Sequence, residues 1–271
     1  MRLLLIALTA VFAVWLPRAP VEGRDRDTPP PPSGAGLAVL PIDPGRFGNL
    51  QYARTPLPPR AIALTFDDGP DPVWNGQVLD ILDERGIKAT FFFVGQHVQL
   101  HPERVREVVR RGHNVASHSW SHPTRLRRWS RAAQISEVRR SYGALEAALA
   151  DAPPADRARL EPMFRFPGLN EGAFLSGWLN QRGVMVLSAE GGTDDWRGYS
   201  AARITRVSLN VMERNQGGVL ILHETRPQMI RALPDLLDQL SARGFTFVQI
   251  TAGMEGRARA LAADDPVLTL R

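Results

Sequence analysis

The 271-residue sequence contains no cysteine. Disulfides and thiolate metal ligands are therefore excluded, and any metal must be held by His, Asp or Glu. Lysine is nearly absent as well. Lys88 is the one lysine among 33 basic residues, so the positive surface is almost wholly guanidinium. Guanidinium forks suit anionic and hydroxyl-rich partners. The net charge of +5 and the pI of about 10.5 are a weak signal, compatible with nucleic acid or with an acidic polymer. No apolar run reaches the roughly 20 residues that a membrane-spanning helix needs. The longest, Leu3 to Leu16, follows Arg2 and is broken by Thr9.

What is present orders the chain. Residues 1–16 have the charge and length of a secretory signal peptide, with an uncleaved N-terminal anchor as the alternative. The expected location is therefore secreted or periplasmic. Residues 17–59 hold 11 of the 22 prolines and read as a Pro-rich linker, whose later part can wrap a domain edge through Phe47, Leu50 and Tyr52. From residue 60 to 252 short apolar runs alternate with segments of helical spacing. The runs are Ala61–Phe66, Ala89–Val94, His113–Ser117, Met163–Phe166, Val184–Ser188, Gly218–Leu222 and Phe245–Ile250. Helices are expected near 75–84, 102–111, 131–150, 171–182, 201–214 and 227–243. Residues 253–271 read as a C-terminal tail. Alternation of this kind predicts an α/β fold with a parallel sheet covered by helices. A distorted (β/α)7–8 barrel is preferred to an open doubly wound sheet, because reactive residues fall at the strand ends, which converge on one face of a barrel.

Those residues are few. Asp67-Asp68 precede Gly69-Pro70 after the first run, where an isolated Asp-Asp-Gly is equally well a capped turn. His118 and His122 follow the third run at a spacing that, on a helical turn, places both imidazoles on one face. With Asp68 they make a two-nitrogen, one-carboxylate donor set that leaves a coordination position open, the pattern of a catalytic zinc site. Water at such a site has its pKa lowered toward neutrality. His223 ends the run Val219–Leu222 beside Glu224, and alone it reads as a satisfied core residue.

Taken in order, Thr65–Gly69, His118–His122, Arg165-Phe166-Pro167, Asp195-Trp196 and Ile221–His223 resemble the motifs of the polysaccharide deacetylase family (NodB-homology domain, carbohydrate esterase family 4). The flanking Leu79–Leu82 and Lys88–Gly95 resemble it too, and the likeness covers about residues 60–250. The resemblance implies a single-domain NodB-like barrel. It implies a metal-dependent hydrolase that removes N-acetyl groups from N-acetylglucosamine-containing polysaccharide, chitooligosaccharide or peptidoglycan. It implies that Asp67 is the general base, oriented by Arg165, and that His223 is the general acid, oriented by Asp195. Asp68, His118 and His122 are implied to hold a divalent metal, zinc in most members. Pro167, Gly168, Trp196 and Ile221 are implied to contact substrate. The implied partner is an acetylated amino-sugar polysaccharide rather than nucleic acid, with the membrane touched only through an N-terminal anchor. An O-acetyl esterase and a non-catalytic glycan binder on the same fold are the alternatives.

Two positions depart from the family pattern. Gly168 stands where an aromatic residue usually follows the proline, which keeps the backbone donor and removes an aromatic wall. Gly192 stands where an Asp usually precedes the Asp-Trp pair by three residues, with Glu190 and Asp194 as candidates to replace it. Arg125, Arg127, Arg128 and Arg131 form a basic cluster after the histidine motif, read either as a contact for an acidic polymer or as a solvated helix start. His97, His101 and His113 are expected to be structural or superficial. Trp74, Trp120 and Trp178 are sugar platforms or core, with Trp120 assigned to the core.

Overall fold

The computed structural model describes residues 38–262 and 266–269. The expected signal segment and the proline run 29–32 lie outside the described residues. Among the described residues ten strands carry the fold: β1 Ala38–Ile42, β2 Arg46–Phe47, β3 Ala61–Asp67, β4 Thr90–Phe93, β5 Asn114–Ser117, β6 Leu160–Phe164, β7 Met185–Leu187, β8 Gly191–Gly192, β9 Gly218–His223 and β10 Thr246–Ala252. The α-helices among these residues are α1 Asn75–Asp83, α2 Gly95–Leu100, α3 Pro102–Arg110, α4 Arg131–Leu149, α5 Pro154–Arg157, α6 Ala173–Gln181, α7 Ala201–Asn215, α8 Pro227–Ala242 and α9 Met254–Ala262. The starts of several are legible locally. Ser130 caps α4 by accepting from the Ala133 N–H at 3.2 Å. Pro102 and Pro227 sit at the first helical positions of α3 and α8, where no N–H partner is needed.

Every strand pairing is parallel. The row runs β8-β9-β3-β4-β5-β6-β7, with β10 beside the start of β3 and β1 outside β10. Three residues join β7 to β8, and the Glu190 N–H already donates to Val219 O of β9 at 3.0 Å. The two ends of the row thus meet through the chain itself, which makes a distorted barrel.

Residues alternate between two cores, as strand periodicity requires. On β3, Ile62, Leu64 and Phe66 pack outward under the helices with Phe91, Phe93, Leu220 and Leu222. Ala61 and Ala63 point into the barrel with Phe92, Ala116, Met163, Met185, Leu187, Val219 and Ile221. The inward stripe continues along β3 through Thr65 to Asp67, along β6 from Met163 to Arg165, and along β9 from Ile221 to His223. The apolar interior therefore ends in polar groups at the C-terminal rim.

The sequence reading needs correction at both ends of the domain. The segment read as linker supplies two strands: β1 pairs with β10 over five residues and β2 pairs with β7. Pro41 is tolerated because β1 is an edge strand. The residues read as a tail include α9, whose Ala260 is fully buried and whose Gly256 O lies against Gly183. Gly183 has φ +72°, and a Cβ there would meet that carbonyl at 2.3 Å.

Candidate active site

The base and acid candidates are register partners. Asp67 ends β3 directly opposite His223 at the end of β9, and parallel neighbours lie about 4.8 Å apart. Arg165, just past β6, reaches across with a fully buried guanidinium. It donates from Nη1 to Asp67 Oδ1 at 2.7 Å and to Thr65 Oγ1 at 2.8 Å, from Nε to Leu187 O at 3.0 Å and from Nη2 to Ser188 O at 3.0 Å. Its other face lies over the Phe92 ring at 4.2 Å. Burial lowers the Arg165 pKa from its ordinary value while the Asp67 carboxylate opposes that. A buried charge left unpaired costs several kcal/mol, so this ring of acceptors is what allows an arginine inside the barrel.

Asp195 grips His223 twice. One carboxylate oxygen accepts from the His223 backbone N–H at 2.8 Å and the other meets Nδ1 at 2.7 Å. Burial alone would lower the His223 pKa. Asp195, helped by Asp67 and Asp68, overrides it and raises the value to about 9. The imidazolium is therefore the form present at neutral pH, with Nδ1–H committed to Asp195 and Nε2–H left as a donor.

Asp68, His118 and His122 bring one ligand atom each within 4.8 Å of one another. His122 Nε2 lies 3.2 Å and His118 Nε2 3.6 Å from Asp68 Oδ1. Buried Asp68 Oδ1 accepts no hydrogen bond, an orphaned acceptor that a cation would satisfy. His118 Nδ1 lies 2.9 Å from Arg165 O, a pure acceptor. The proton is thereby fixed on Nδ1, and the Nε2 lone pair faces Asp68, as in metal-binding histidines. Burial works against ionisation of Asp68, yet His118, His223 and His122 hold its carboxyl well below the usual range. Burial lowers the His122 pKa, and His118 adds to this. A carboxylate oxygen and two imidazole nitrogens in one triangle fit a divalent cation.

The histidine motif is not helical. Residues 118–122 form an irregular loop in which Ser119 and His122 have φ +66° and +55°. Asp68 is left-handed too, at +74°. Non-glycine residues in this region are strained, and such strain gathers at functional sites. The loop is held from both sides. Gly95 and Gln96 of α2 donate their N–H groups to Ser119 O and Trp120 O. From α4, the buried Glu137 accepts from Trp120 N at 3.0 Å, Ser121 N at 2.9 Å and Ser121 Oγ at 3.0 Å. A side chain at Gly95 would collide with the Trp120 ring at 2.7 Å and with Ser141 Cα at 2.9 Å.

The Asp-Asp-Gly turn is held similarly. Fully buried Glu224 accepts from Asp71 N at 2.9 Å and Asn75 Nδ2 at 2.8 Å. Burial pushes its carboxyl up to about 8. A Cβ on Gly69 would lie 1.6 Å from Glu224 Oε1, so glycine is required there by contact. His97, read as structural or superficial, meets Asp68 O through Nδ1 at 2.8 Å and braces the backbone of a candidate ligand.

Sequence reasoning missed Glu137, and Glu224 was noted only as a neighbour. Glu137 did carry a signal: it is an acid on the same helix face as the buried Gln134, Val138, Ser141 and Tyr142. Among the remaining expectations, Ile221 is 5 % exposed and Pro167 is buried. Gly168 is exposed with φ +59°, and Trp196 is 54 % exposed with Arg197 over its ring. Gly192 faces open space. Neither candidate to replace the missing acid does so. Glu190 is committed to Thr55 and Val219, and Asp194 pairs with Arg197 at 3.3 Å. Trp120 and Trp178 are buried. His113 is fully buried and accepts from Ala89 N at 3.1 Å.

The polysaccharide deacetylase family model matches residues 54–170. A Bacillus cereus peptidoglycan-N-acetylglucosamine deacetylase is 30% identical over 199 residues, covering 71% of this chain and 87% of that one. The chain belongs to the polysaccharide deacetylase family. A chitooligosaccharide deacetylase of Bradyrhizobium sp. is 31% identical over 201 residues, covering 69% of this chain and 87% of its own length. In structure, the chain is similar to the Bc1960 peptidoglycan N-acetylglucosamine deacetylase, with TM-score 0.63, 26% identity and coverage of 79% of this chain and 91% of that one. Other relatives are longer, and the chain spans as little as 38% of one peptidoglycan deacetylase.

Proposed function

We propose that this protein is a metal-dependent hydrolase that removes N-acetyl groups from N-acetylglucosamine-containing polysaccharide, either chitooligosaccharide or peptidoglycan. One observation carries the reading. The register pair Asp67–His223 lies at the same rim as the Asp68–His118–His122 triangle, so the proposed base, acid and cation ligands have one barrel mouth in common. A divalent cation bound there, zinc in this reading, would supply Lewis acidity to the acetyl carbonyl and acidify a water.

The remaining work falls to side chains. Arg165 occupies Asp67 Oδ1, and Oδ2 takes the proton of the attacking water. As the oxygen–carbon bond forms and the carbon–nitrogen bond breaks, His223 passes its Nε2 proton to the leaving amine. Asp195 keeps that imidazole charged and aimed. Acetate and a free amino sugar are the products. In this reading the Gly168 N–H stabilises the developing oxyanion beside Pro167, and Trp196 and Ile221 enclose the acetyl methyl. The apolar segment after Arg2 is read as an export signal or anchor, placing the enzyme outside the cytoplasmic membrane where such polymers lie.

Acetate release from chitooligosaccharides, peptidoglycan and acetylated xylan, with metal analysis of the same preparation, tests the proposal. Chelator-sensitive release from an N-acetylated glycan is expected. Failure of metal-loaded protein on every N-acetylated glycan would sink the proposal, and release from xylan alone would make the protein an ester hydrolase.

A further inference from the structure

From Val108 to Ser136 the sequence contains no Asp or Glu, yet it holds Arg125, Arg127, Arg128 and Arg131. All four arginines are exposed, as is Trp129 between them at 42 %. Several arginines elsewhere are neutralised: Arg85 pairs with Asp238, Arg111 with Asp80 and Glu107, and Arg257 with Glu161. None of the four has an acidic partner among the described residues; Arg131 alone has a ring contact, over Phe174 at 4.9 Å.

The cluster is fixed beside the candidate cation site. It starts three residues after His122, and Leu126 anchors its turn at 1 % exposure. Asn170 Nδ2 donates to Thr124 O at 2.7 Å. A Cβ on Gly168 would lie 3.6 Å from Thr124 Cγ2, and one on Gly172 would lie 2.8 Å from Arg127 Cβ. The arginine turn and the 167–172 segment therefore form one wall, running from the turn that bears Gly168 outward past His122.

We propose that Arg125, Arg127, Arg128, Arg131 and Trp129 form a binding rim that selects glycan strands bearing carboxylates over neutral strands of the same sugar. This rests on the amidohydrolase reading above, and it names which of that reading's two polymers the site is built for. Peptidoglycan strands carry peptide carboxylates at regular intervals, whereas chitooligosaccharides carry none. A single exposed ion pair contributes little, but a cluster facing a polyanion acts jointly on encounter and register. The exposed indole offers a flat face to a sugar ring.

The test is the ratio of dissociation constants for soluble peptidoglycan strands and for chitooligosaccharides of equal sugar count. It is measured on full-length, metal-loaded protein carrying Asp67→Asn to prevent turnover. We expect about tenfold tighter binding of the charged strand at low salt, with the advantage lost near 1 M salt, where the Debye length is about 3 Å. In an Arg125→Gln/Arg127→Gln/Arg128→Gln variant the ratio should approach one. A ratio of one in the protein with its arginines intact, or one that survives in the triple variant, overturns the inference. So does tighter binding of a phosphodiester polymer than of the carboxylate strand. Acetate release by the unmutated protein is read separately. Its absence would remove the hydrolase reading while leaving the rim to stand or fall on the binding ratio.

Discussion

In the proposed mechanism the adjacent carboxylates take different tasks, because their surroundings differ by a few ångströms. Asp67 faces inward on an all-buried strand and meets the Arg165 guanidinium. Asp68 turns out of the strand in a left-handed conformation and meets two imidazoles. Asp67→Asn should keep the arginine contact and the cation ligands but lose the proton acceptor. Turnover is expected to fall by about 10²–10⁴ with metal content unchanged by elemental analysis; an active Asp67→Asn protein would remove it as the base. In the proposed mechanism His223 gives the alkaline limit. Its folded pKa lies above the ordinary histidine value, so the protonated acid, and the stability linked to it, is fully present below the ordinary value and is lost as pH rises through about 9. Activity should fall on the same limb. Asp195→Asn removes the carboxylate that raises this pKa, so the alkaline limb should move to lower pH, and a pH–kcat profile that does not move would show another group sets it.

Elements matter here through what they hold still. The strained 118–122 loop has no helix to stiffen it, so α2 clamps its carbonyls and Glu137 of α4 clamps its N–H groups. In Glu137→Ala two loop N–H groups lose their acceptor, and the histidines lose their spacing. Metal affinity, by competition with a chromogenic chelator, is expected to drop about 10–100-fold, the range seen when groups that orient ligands are removed. Glu137→Gln, which keeps one acceptor oxygen, should fall between. If Glu137→Ala lowers thermal stability of the metal-free protein but leaves affinity intact, Glu137 is a packing residue only. Glu224 plays the matching part for the other half of the site, and its contact with Gly69 explains why the Asp-Asp turn is followed by glycine.

For the whole molecule, the sheet edges are covered by segments distant in sequence. β1 covers the edge of β10, β2 covers β7, and Thr55 supplies the N–H and hydroxyl that satisfy buried Glu190. Deleting residues 38–57 would expose two parallel edges and leave a buried carboxylate short of donors. Such a chain is expected to aggregate or to unfold well below the intact protein's melting temperature, measured by circular dichroism alongside light scattering. A soluble truncated chain with unchanged melting temperature would show that these strands only decorate the sheet.

The sequence by itself determined the alternation of strands and helices and the order of the motifs, and it singled out Asp67, Asp68, His118, His122, Arg165, Asp195 and His223 as site candidates. Period-two burial and motif spacing are local properties, and they survive in one dimension. The resemblance implied the pairs Asp67–Arg165 and Asp195–His223, and only the tertiary structure supplied the geometry that joins them. Parallel register sets Asp67 opposite His223 across more than 150 residues of chain, and no local pattern encodes that. It also decided that the histidine loop is irregular, that a glutamate in α4 and another after β9 hold the site together, and that the segments read as linker and tail belong partly to the fold. Each depends on contacts between residues far apart in sequence. The basic cluster was visible in the sequence from the start; its exposure, its lack of acidic partners among the described residues and its seat against the 167–172 turn are what make it a surface with an expected occupant.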